Sequence, residues 1–333
     1  MQAAFKPHLL QVPESAVVEH YKEPVEFANK QLEILWFPDE IKVEKDVQDI
    51  LVNMTESERH GVMSVLKLFT LYELKAGNDY WNGKFSRLFK RPEMRRMASV
   101  FGMFESSIHM PFYRKLNEAL HLDNDAFYME YMADPVLKDR IEFIDKSISS
   151  KNDLLSIATF SMVEGAILYS SFAFLKHFQS QGKNKLLNVV RGINFSVRDE
   201  NLHSVAGAWT FRTLKEQMVL SSEAEADLKK AIIDAAWTIR DHEHKIAEKI
   251  FEKGRIENIT LHQLCNFIDS RLNQCLVELG YESIFEVTYN PIAEWFYTGI
   301  NSFSFVDFFT GVGSNYNRNW DEHDFEYKEW VHK

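Results

Sequence analysis

The chain has 333 residues, of which 45% are hydrophobic and 14% aromatic, so it can bury a large apolar core and is not a disordered protein. Its 38 basic and 49 acidic residues leave a formal charge of −11, which argues against a nucleic-acid partner. Only 13 glycines and 8 prolines are present, a scarcity that disfavours a turn-rich β fold and favours long helices.

The periodicity of apolar residues predicts an all-α chain. Residues 1–20 read as an irregular N-terminal arm, and Thr55 with Glu58 forms a predicted capping box at the start of a long helix. Helices are predicted over residues 25–35, 56–76, 92–120, 126–132, 135–148, 153–179, 184–217, 222–254, 260–279 and 291–300. Residues 310–333 are polar and acidic and are predicted to form a mobile C-terminal tail. Residues 21–309 are therefore predicted to form one helical domain.

One segment of the chain needs a test against a membrane span. Residues 154–175 carry a single charge, Glu164, but they also contain several serines and one threonine. A glutamate at the middle of a span would be costly in lipid. We interpret the segment as a helix buried inside a large bundle, and the first residues have no signal-peptide pattern, so we expect no membrane association.

Acidic residues occupy positions where an apolar core is expected. In the second predicted helix, for example, Val62, Leu66 and Phe69 form a stripe whose next member is Glu73. Acids are almost never fully buried without a partner. Four acids and two histidines behave in this way on four long helices: Glu73, Glu105, His109, Glu164, Glu200 and His203.

This set of residues suits a pair of transition-metal ions. Carboxylates can bridge two ions while imidazoles fill terminal positions. Ferritin-like dimetal bundles take one Glu from each of two helices and a Glu-x-x-His pair from each of the other two. Glu200-Asn201-Leu202-His203 matches that pair as written. The sequence therefore predicts a ferritin-like bundle with additional helices and a dinuclear metal centre.

At these residues the chain resembles the small, radical-generating subunit of class I ribonucleotide reductase over essentially its whole length. The segments that carry the resemblance are Leu35 to Glu40, Ser196 to His203, Arg271 to Tyr281 and Asn290 to Trp295. The resemblance implies that the six residues above are the metal ligands and that Tyr113 is the radical tyrosine. It also implies that Trp36 and Asp199 connect to His109 as a route for the electron and its proton. Tyr327 in the tail would then hand the radical to the partner protein, with Tyr316 as the second candidate.

The second ligand helix departs from the family pattern. It reads Glu105-Ser106-Ser107-Ile108-His109, one residue longer than Glu-x-x-His, and Pro111 follows. We predict a π-bulge or kink between Glu105 and His109 that absorbs the extra residue. Two alternatives stay open: Ser106 could take the ligand position, or Phe112 could replace Tyr113 at the radical position, as in relatives with a mixed Mn/Fe centre.

The function implied by the resemblance is that of a ribonucleoside-diphosphate reductase small subunit. It would use a dinuclear centre, Fe/Fe being favoured over Mn/Mn or Mn/Fe, to generate a tyrosyl radical for deoxyribonucleotide synthesis. The expected partners are a second copy of the chain and the large catalytic subunit, bound through the C-terminal tail, in the cytoplasm. The rivals are a dimetal oxidase or oxygenase, and a non-enzymatic metal-storage protein.

Two further features receive simpler interpretations. Asp241-His242-Glu243-His244 contains metal-ligand residue types, but His242 and His244 point to different sides of a helix, so we interpret the segment as a solvated face. The tryptophans other than Trp36 are interpreted as core residues.

Overall fold

A computed structural model describes residues 6–301, except for the side chains of Thr70 and residues 298–301. The described residues contain no β-strand, only an isolated bridge between Ile256 and Ile259. The α-helices are α1 (Lys22–Glu33), α2 (Glu56–Leu74), α3 (Ser86–Leu88), α4 (Pro92–Phe104), α5 (Met110–Ala119), α6 (Asp125–Ala133), α7 (Pro135–Ser149), α8 (Asp153–Ala166), α9 (Tyr169–Lys176), α10 (Leu187–Gln217), α11 (Ser222–Ile250), α12 (Leu261–Glu278) and α13 (Pro291–Asn301). The predicted all-α class is confirmed.

Three π-helical segments interrupt this pattern, at Asp49–Asn53, Lys75–Phe85 and Glu105–His109. The second continues α2 without a break, so the helical path runs well past residue 76, where the sequence placed its end. The predicted capping box at the start of α2 is present: the Thr55 hydroxyl accepts from the Glu58 N–H at 3.2 Å, and the Glu58 carboxylate accepts from the Thr55 N–H at 2.9 Å.

The core of the molecule is built around α8 and α10, which pack closely because small residues line their contact. Ser161 donates to the Ser204 carbonyl at 2.8 Å, and Ser204 donates back to the Ser161 carbonyl at 2.9 Å. A Cβ atom on Gly207 would lie only 3.0 Å from the Cβ of Ser161. This close approach fixes the relative register of two helices that carry predicted ligands.

The segment predicted as one helix over residues 153–179 is broken, so that prediction is wrong in detail. Ile167 is extended, and Leu168 adopts a left-handed conformation with φ 72° before α9 begins. Leu168 is fully buried, so packing holds a conformation that a leucine otherwise disfavours. Residues 153–179 form the one segment of residues 6–301 long and apolar enough to cross a membrane, and its most apolar stretch is wholly buried, as in a core helix.

The structure describes the start of α11 and part of the predicted N-terminal arm. Helix α11 begins at Ser222, where the sequence predicts its start, and is capped by Ser221, whose hydroxyl accepts from the Ala224 N–H. Residues 6–20 contain turns and bends without a helix. The division into an arm at 1–20, a domain at 21–309 and a tail at 310–333 stays a prediction, because 302–333 lie outside the described residues.

Candidate metal centre

The structure brings all six predicted ligand residues together at the centre of the bundle. Each comes from a helical segment, and each is at most 1% exposed. The contributing segments are α2 for Glu73, the π-helix between α4 and α5 for Glu105 and His109, α8 for Glu164, and α10 for Glu200 and His203.

The six residues form two overlapping groups, each with its ligand atoms within 4.8 Å of one another. One group is Glu73, Glu105, His109 and Glu200, and the other is Glu105, Glu164, Glu200 and His203. Because Glu105 and Glu200 belong to both groups, they are placed to bridge two ions. The two histidines lie at opposite ends, with one imidazole available to each ion.

The distances within the cluster show how closely the donor atoms converge. His109 Nδ1 lies 3.0 Å from a Glu105 oxygen, 3.2 Å from a Glu200 oxygen and 3.7 Å from a Glu73 oxygen. At the other end, His203 Nδ1 lies 2.6 Å from the second Glu105 oxygen and 3.9 Å from Glu164. Oxygen and nitrogen lone pairs thus surround two common points.

Several of the donor atoms fit a cation because no hydrogen bond within the described residues satisfies them. Both carboxylate oxygens of Glu73 and of Glu200 and both ring nitrogens of His203 are buried and lack a hydrogen bond. A buried carboxylate without a partner is costly, and bound cations remove that cost. Oxygen and imidazole ligands in this proportion suit iron or manganese.

The electrostatics of the cluster also depend on a cation. Burial, followed by the negative charge of Glu105, raises the pKa of Glu73 and of Glu200 well above the usual range. Although burial opposes the charged form of His203, the neighbouring Glu105 raises its pKa to about 10. The metal-free site therefore holds protons at neutral pH where ions would otherwise bind.

The predicted π-bulge is confirmed at Glu105–His109. The Met110 N–H bonds to the Glu105 carbonyl, five residues back, so one extra residue fits within a single turn. The Ser106 hydroxyl turns away and donates to the Gly102 carbonyl at 2.8 Å. The structure thus brings Glu105, and not Ser106, into the cluster.

Trp36 and Asp199 lie directly behind His109. Asp199 Oδ2 accepts from the Trp36 indole N–H at 2.8 Å and lies 3.1 Å from His109 Nε2. Because Nε2 is engaged by the carboxylate, His109 presents Nδ1 to the cluster. The Trp36 and His109 rings are stacked with centroids 6.1 Å apart. A continuous set of contacts therefore leads from the cluster to Trp36.

Tyr113 and Phe112 are neighbours on α5, with ring centroids 5.0 Å apart, but they contact different aromatic residues. Tyr113 is 3% exposed and stacks on Phe69 of α2, with ring centroids 4.3 Å apart. Burial, and next the charge of Glu73, raise the pKa of its hydroxyl well above the usual range. Phe112 instead meets the edge of Trp36 at 5.4 Å. Tyr327 and Tyr316 lie outside the described residues.

The comparisons with known proteins agree with this geometry. The family model described as "Ribonucleotide reductase, small chain" matches residues 17–291. The chain belongs to this family. A probable ribonucleoside-diphosphate reductase small subunit of invertebrate iridescent virus 3 is 26% identical, over 84% of this chain and 78% of the relative. The ribonucleoside-diphosphate reductase subunit beta of Bacillus subtilis is 23% identical, over 88% of both.

Solved structures of ribonucleotide reductase proteins share the fold. A putative class I ribonucleotide reductase of Bacillus halodurans superposes with a TM-score of 0.74 at 21% identity, covering 84% of this chain and 99% of the other. The dimanganese(II) NrdF of Streptococcus sanguinis also gives 0.74, at 20% identity and coverage of 87% and 99%. The predicted ferritin-like class, with a buried site suited to a dinuclear centre, is thereby confirmed.

Two residues of this ribonucleotide reductase small chain were missed by sequence reasoning. The Trp81 indole N–H donates to Glu164 Oε1 at 2.7 Å, and the Tyr72 hydroxyl lies 3.4 Å from Glu164 Oε2. Trp81 was assigned only to the core. It is fully buried, as expected, but its N–H also orients a ligand of the cluster. The spacing of eight residues from Glu73 gave no sign of this contact.

The interpretation of residues 241–244 as a solvated face is wrong. Glu243 is fully buried, accepts from Ser170 at 2.6 Å and pairs with Arg140 at 3.1 Å. His244 lies 2.9 Å from Asp269 on α12. These residues join α11 to its neighbours. Both cysteines of the small chain, Cys265 and Cys275, are free.

Proposed function

We propose that this chain is the small subunit of a ribonucleoside-diphosphate reductase, that its six buried ligand residues would hold a dinuclear metal centre, and that Tyr113 is its radical tyrosine. The observation that carries the proposal is the pair of overlapping ligand groups, in which Glu105 and Glu200 belong to both and donor atoms lack protein partners. Membership of the small-chain family and the names of its relatives support the same activity.

When bound, the centre supplies the oxidising equivalent that removes an electron and a proton from a tyrosine. The protein's part is to place that tyrosine and shield it. Tyr113 is buried between α2 and α5, and stacking on Phe69 keeps water away from its ring. Burial, and next the charge of Glu73, raise the pKa of the Tyr113 hydroxyl, so Tyr113 stays protonated until it is oxidised.

The route out of the site runs through residues of two helical segments and of the connection that follows α1. His109 contacts Asp199, and Asp199 accepts from the Trp36 indole, all within the buried core. A buried carboxylate that accepts from both can hold or pass a proton while an electron crosses between the stacked rings. Tyr327, in the C-terminal tail, is proposed to complete the route to the partner protein.

The partner of a ribonucleotide reductase small chain is the large catalytic subunit. We propose that the C-terminal tail docks on it, that two copies of the chain form a homodimer, and that the assembly works in the cytoplasm. Iron is the favoured metal. Manganese is the alternative that the dimanganese relative supports, because the ligand types here suit both.

The decisive experiment is metal loading of the full chain with Fe(II), Mn(II) or both, followed by oxygen exposure and electron paramagnetic resonance. We expect about two ions per chain, as the two ligand groups imply, and a tyrosyl signal that disappears in Tyr113→Phe. Tyr72→Phe is the matched control, because Tyr72 is an equally buried tyrosine beside Glu164, and the signal should survive there.

Other outcomes separate the rivals. A coupled Mn/Fe signal without a tyrosyl radical would shift the radical position to Phe112. Stoichiometric metal with substrate oxidation independent of residues 315–333 would favour an oxidase or oxygenase. Reversible storage of metal without a radical would favour a storage protein, and absence of stoichiometric metal would refute the dinuclear centre.

A further inference from the structure

The ligand Glu164 lies at an unusual place in its helix, two residues before the end of α8 at Ala166. Immediately afterwards, Ile167 is extended and Leu168 has φ 72°. The last carbonyls of a helix lack partners in the helix itself. The position of Glu164 therefore depends on what holds this helix end, and not only on the helix.

Arg271 of α12 holds the end of α8. Its Nε and Nη2 atoms donate to the Gly165 carbonyl at 3.1 and 2.8 Å, one residue after the ligand. Nη1 donates to the Tyr297 hydroxyl at 3.0 Å, and the guanidinium lies 4.1 Å from the Tyr169 ring centroid. The side chain is 3% exposed. A cation at a helix C-terminus also complements the helix dipole.

Gly165 fits this position because it has no side chain. A Cβ atom there would lie 2.3 Å from the Ser204 hydroxyl and 2.5 Å from the Cys275 sulfur. Its backbone is thus pressed between α10 and α12. Since α10 also carries Glu200 and His203, the same contact sets the distance between Glu164 and two other ligands.

The start of α9, just beyond the break, is held independently by Glu243 of α11. Glu243 accepts from the Ser170 hydroxyl at 2.6 Å and from the Leu168 backbone, and pairs with Arg140 at 3.1 Å. Both sides of the break are therefore fixed by α11 and α12, two helices that contribute no ligand. Arg271 acts on the side nearer to the ligand.

We propose that Arg271 is a positioning residue for the metal site: by clamping the Gly165 carbonyl it places the Glu164 carboxylate for the ion bound at the His203 end. The inference rests on the proposed dinuclear centre. It assigns to Arg271 an effect on one ion of the pair. The other ion, at the His109 end, takes no ligand from α8 and should not depend on Arg271.

The test is Mn(II) titration of the metal-free full chain without oxygen, followed by calorimetry and electron paramagnetic resonance. Arg271→Met removes the donors while keeping much of the side-chain length. Arg240→Met is the matched control. Arg240 is likewise an arginine that links two helices, α11 and α12, through Asp269, but its hydrogen bonds to Asp269 do not involve α8. Tyr297→Phe removes only the hydroxyl that accepts from Arg271 and keeps the aromatic ring, so its packing is preserved.

We expect Arg271→Met to bind one Mn(II) normally and the second about 10- to 100-fold more weakly, as for loss of other groups that orient a ligand. At two equivalents, it should show an isolated Mn(II) spectrum where the unmodified chain shows a coupled pair. Tyr297→Phe should weaken the same ion by less, and Arg240→Met should leave both ions unchanged. Backbone amides of residues 163–168 should exchange hydrogen faster in Arg271→Met even without metal.

Two results would overturn the inference. Unchanged affinity for both ions in Arg271→Met would show that the clamp does not position Glu164, and equal weakening of both ions would show general destabilisation. If the unmodified chain binds no pair of ions, the dinuclear centre fails as well. If it binds the pair and Arg271→Met matches it, only the inference about Arg271 fails.

Discussion

Removing the hydrogen bond between Trp36 and Asp199 is predicted to change stability and function in ways that can be measured separately. Trp36→Phe keeps an aromatic ring but removes the indole N–H that donates to Asp199 at 2.8 Å. Both side chains are at most 1% exposed. Losing a hydrogen bond to a buried charged acceptor costs about 1.5–3 kcal/mol, and the smaller ring leaves a cavity worth about 1 kcal/mol. We expect the free energy of unfolding to fall by about 3 kcal/mol.

The stability measurement is urea unfolding of the metal-free protein. Trp209→Phe is the control, because Trp209 packs edge-on against Tyr21 and Phe27, with centroids 6.0 and 6.3 Å away, and neither of these residues belongs to the cluster. We expect it to lose only the packing contribution, about 1–2 kcal/mol. Equal losses in the two variants would show that the Trp36 hydrogen bond contributes nothing measurable.

The functional measurement uses the metal-loaded variant with the large subunit. We expect Trp36→Phe to form the tyrosyl radical, because every ligand of the cluster is intact, and to lose deoxyribonucleotide formation, because the contact from Asp199 outward is gone. Normal turnover with a normal radical would refute the route through Trp36. Loss of the radical itself would instead assign Trp36 to its formation.

Three further outcomes follow from the same contacts. Trp81→Phe removes a donor to the ligand on α8 and should weaken Mn(II) binding about 10- to 100-fold in a titration, without loss of helix content by circular dichroism. Burial raises the pKa values of Glu73 and Glu200, so metal binding should release protons from them and metal affinity should increase with pH. Calorimetry in two buffers of different ionisation enthalpy measures this release. Heats of binding that do not depend on the buffer would contradict it. Burial opposes the charged form of His244, but Asp269 raises its pKa to about 9. This pair therefore contributes about 1 kcal/mol to the free energy of unfolding below pH 6.5, and the contribution is lost as the pH rises toward 9. His244→Gln should flatten that part of the plot of stability against pH.

The ligand residues could be predicted because their sequence signal is local. Each lies at a helical spacing from apolar neighbours, as Glu73 does after Leu66 and Phe69, so an acid in that place stands out within one helix. The π-bulge was predicted from the family resemblance, because Glu105 to His109 spans five residues where the family pattern spans four.

The residues that orient the ligands gave no such signal. Trp81 meets Glu164 across 83 positions of the chain, and Arg271 meets Gly165 across 106. From its own helix, a tryptophan is predicted to lie in the core and an arginine on the surface. The local pattern does not indicate to which residue either side chain donates a hydrogen bond. Glu243 was misread for the same reason, since its partners Arg140 and Ser170 come from other helices.

The extra residue in the π-helical turn shows what this site requires of its sequence. A strict Glu-x-x-His spacing serves only to bring two side chains to one face of a regular helix. Here the Met110 N–H bonds five residues back, and Glu105 and His109 still meet at 3.0 Å. Because the wider turn takes up the insertion locally, the helices on either side keep their packing. The chemistry therefore constrains where donor atoms lie, and the number of residues between them can change wherever the backbone can absorb the difference.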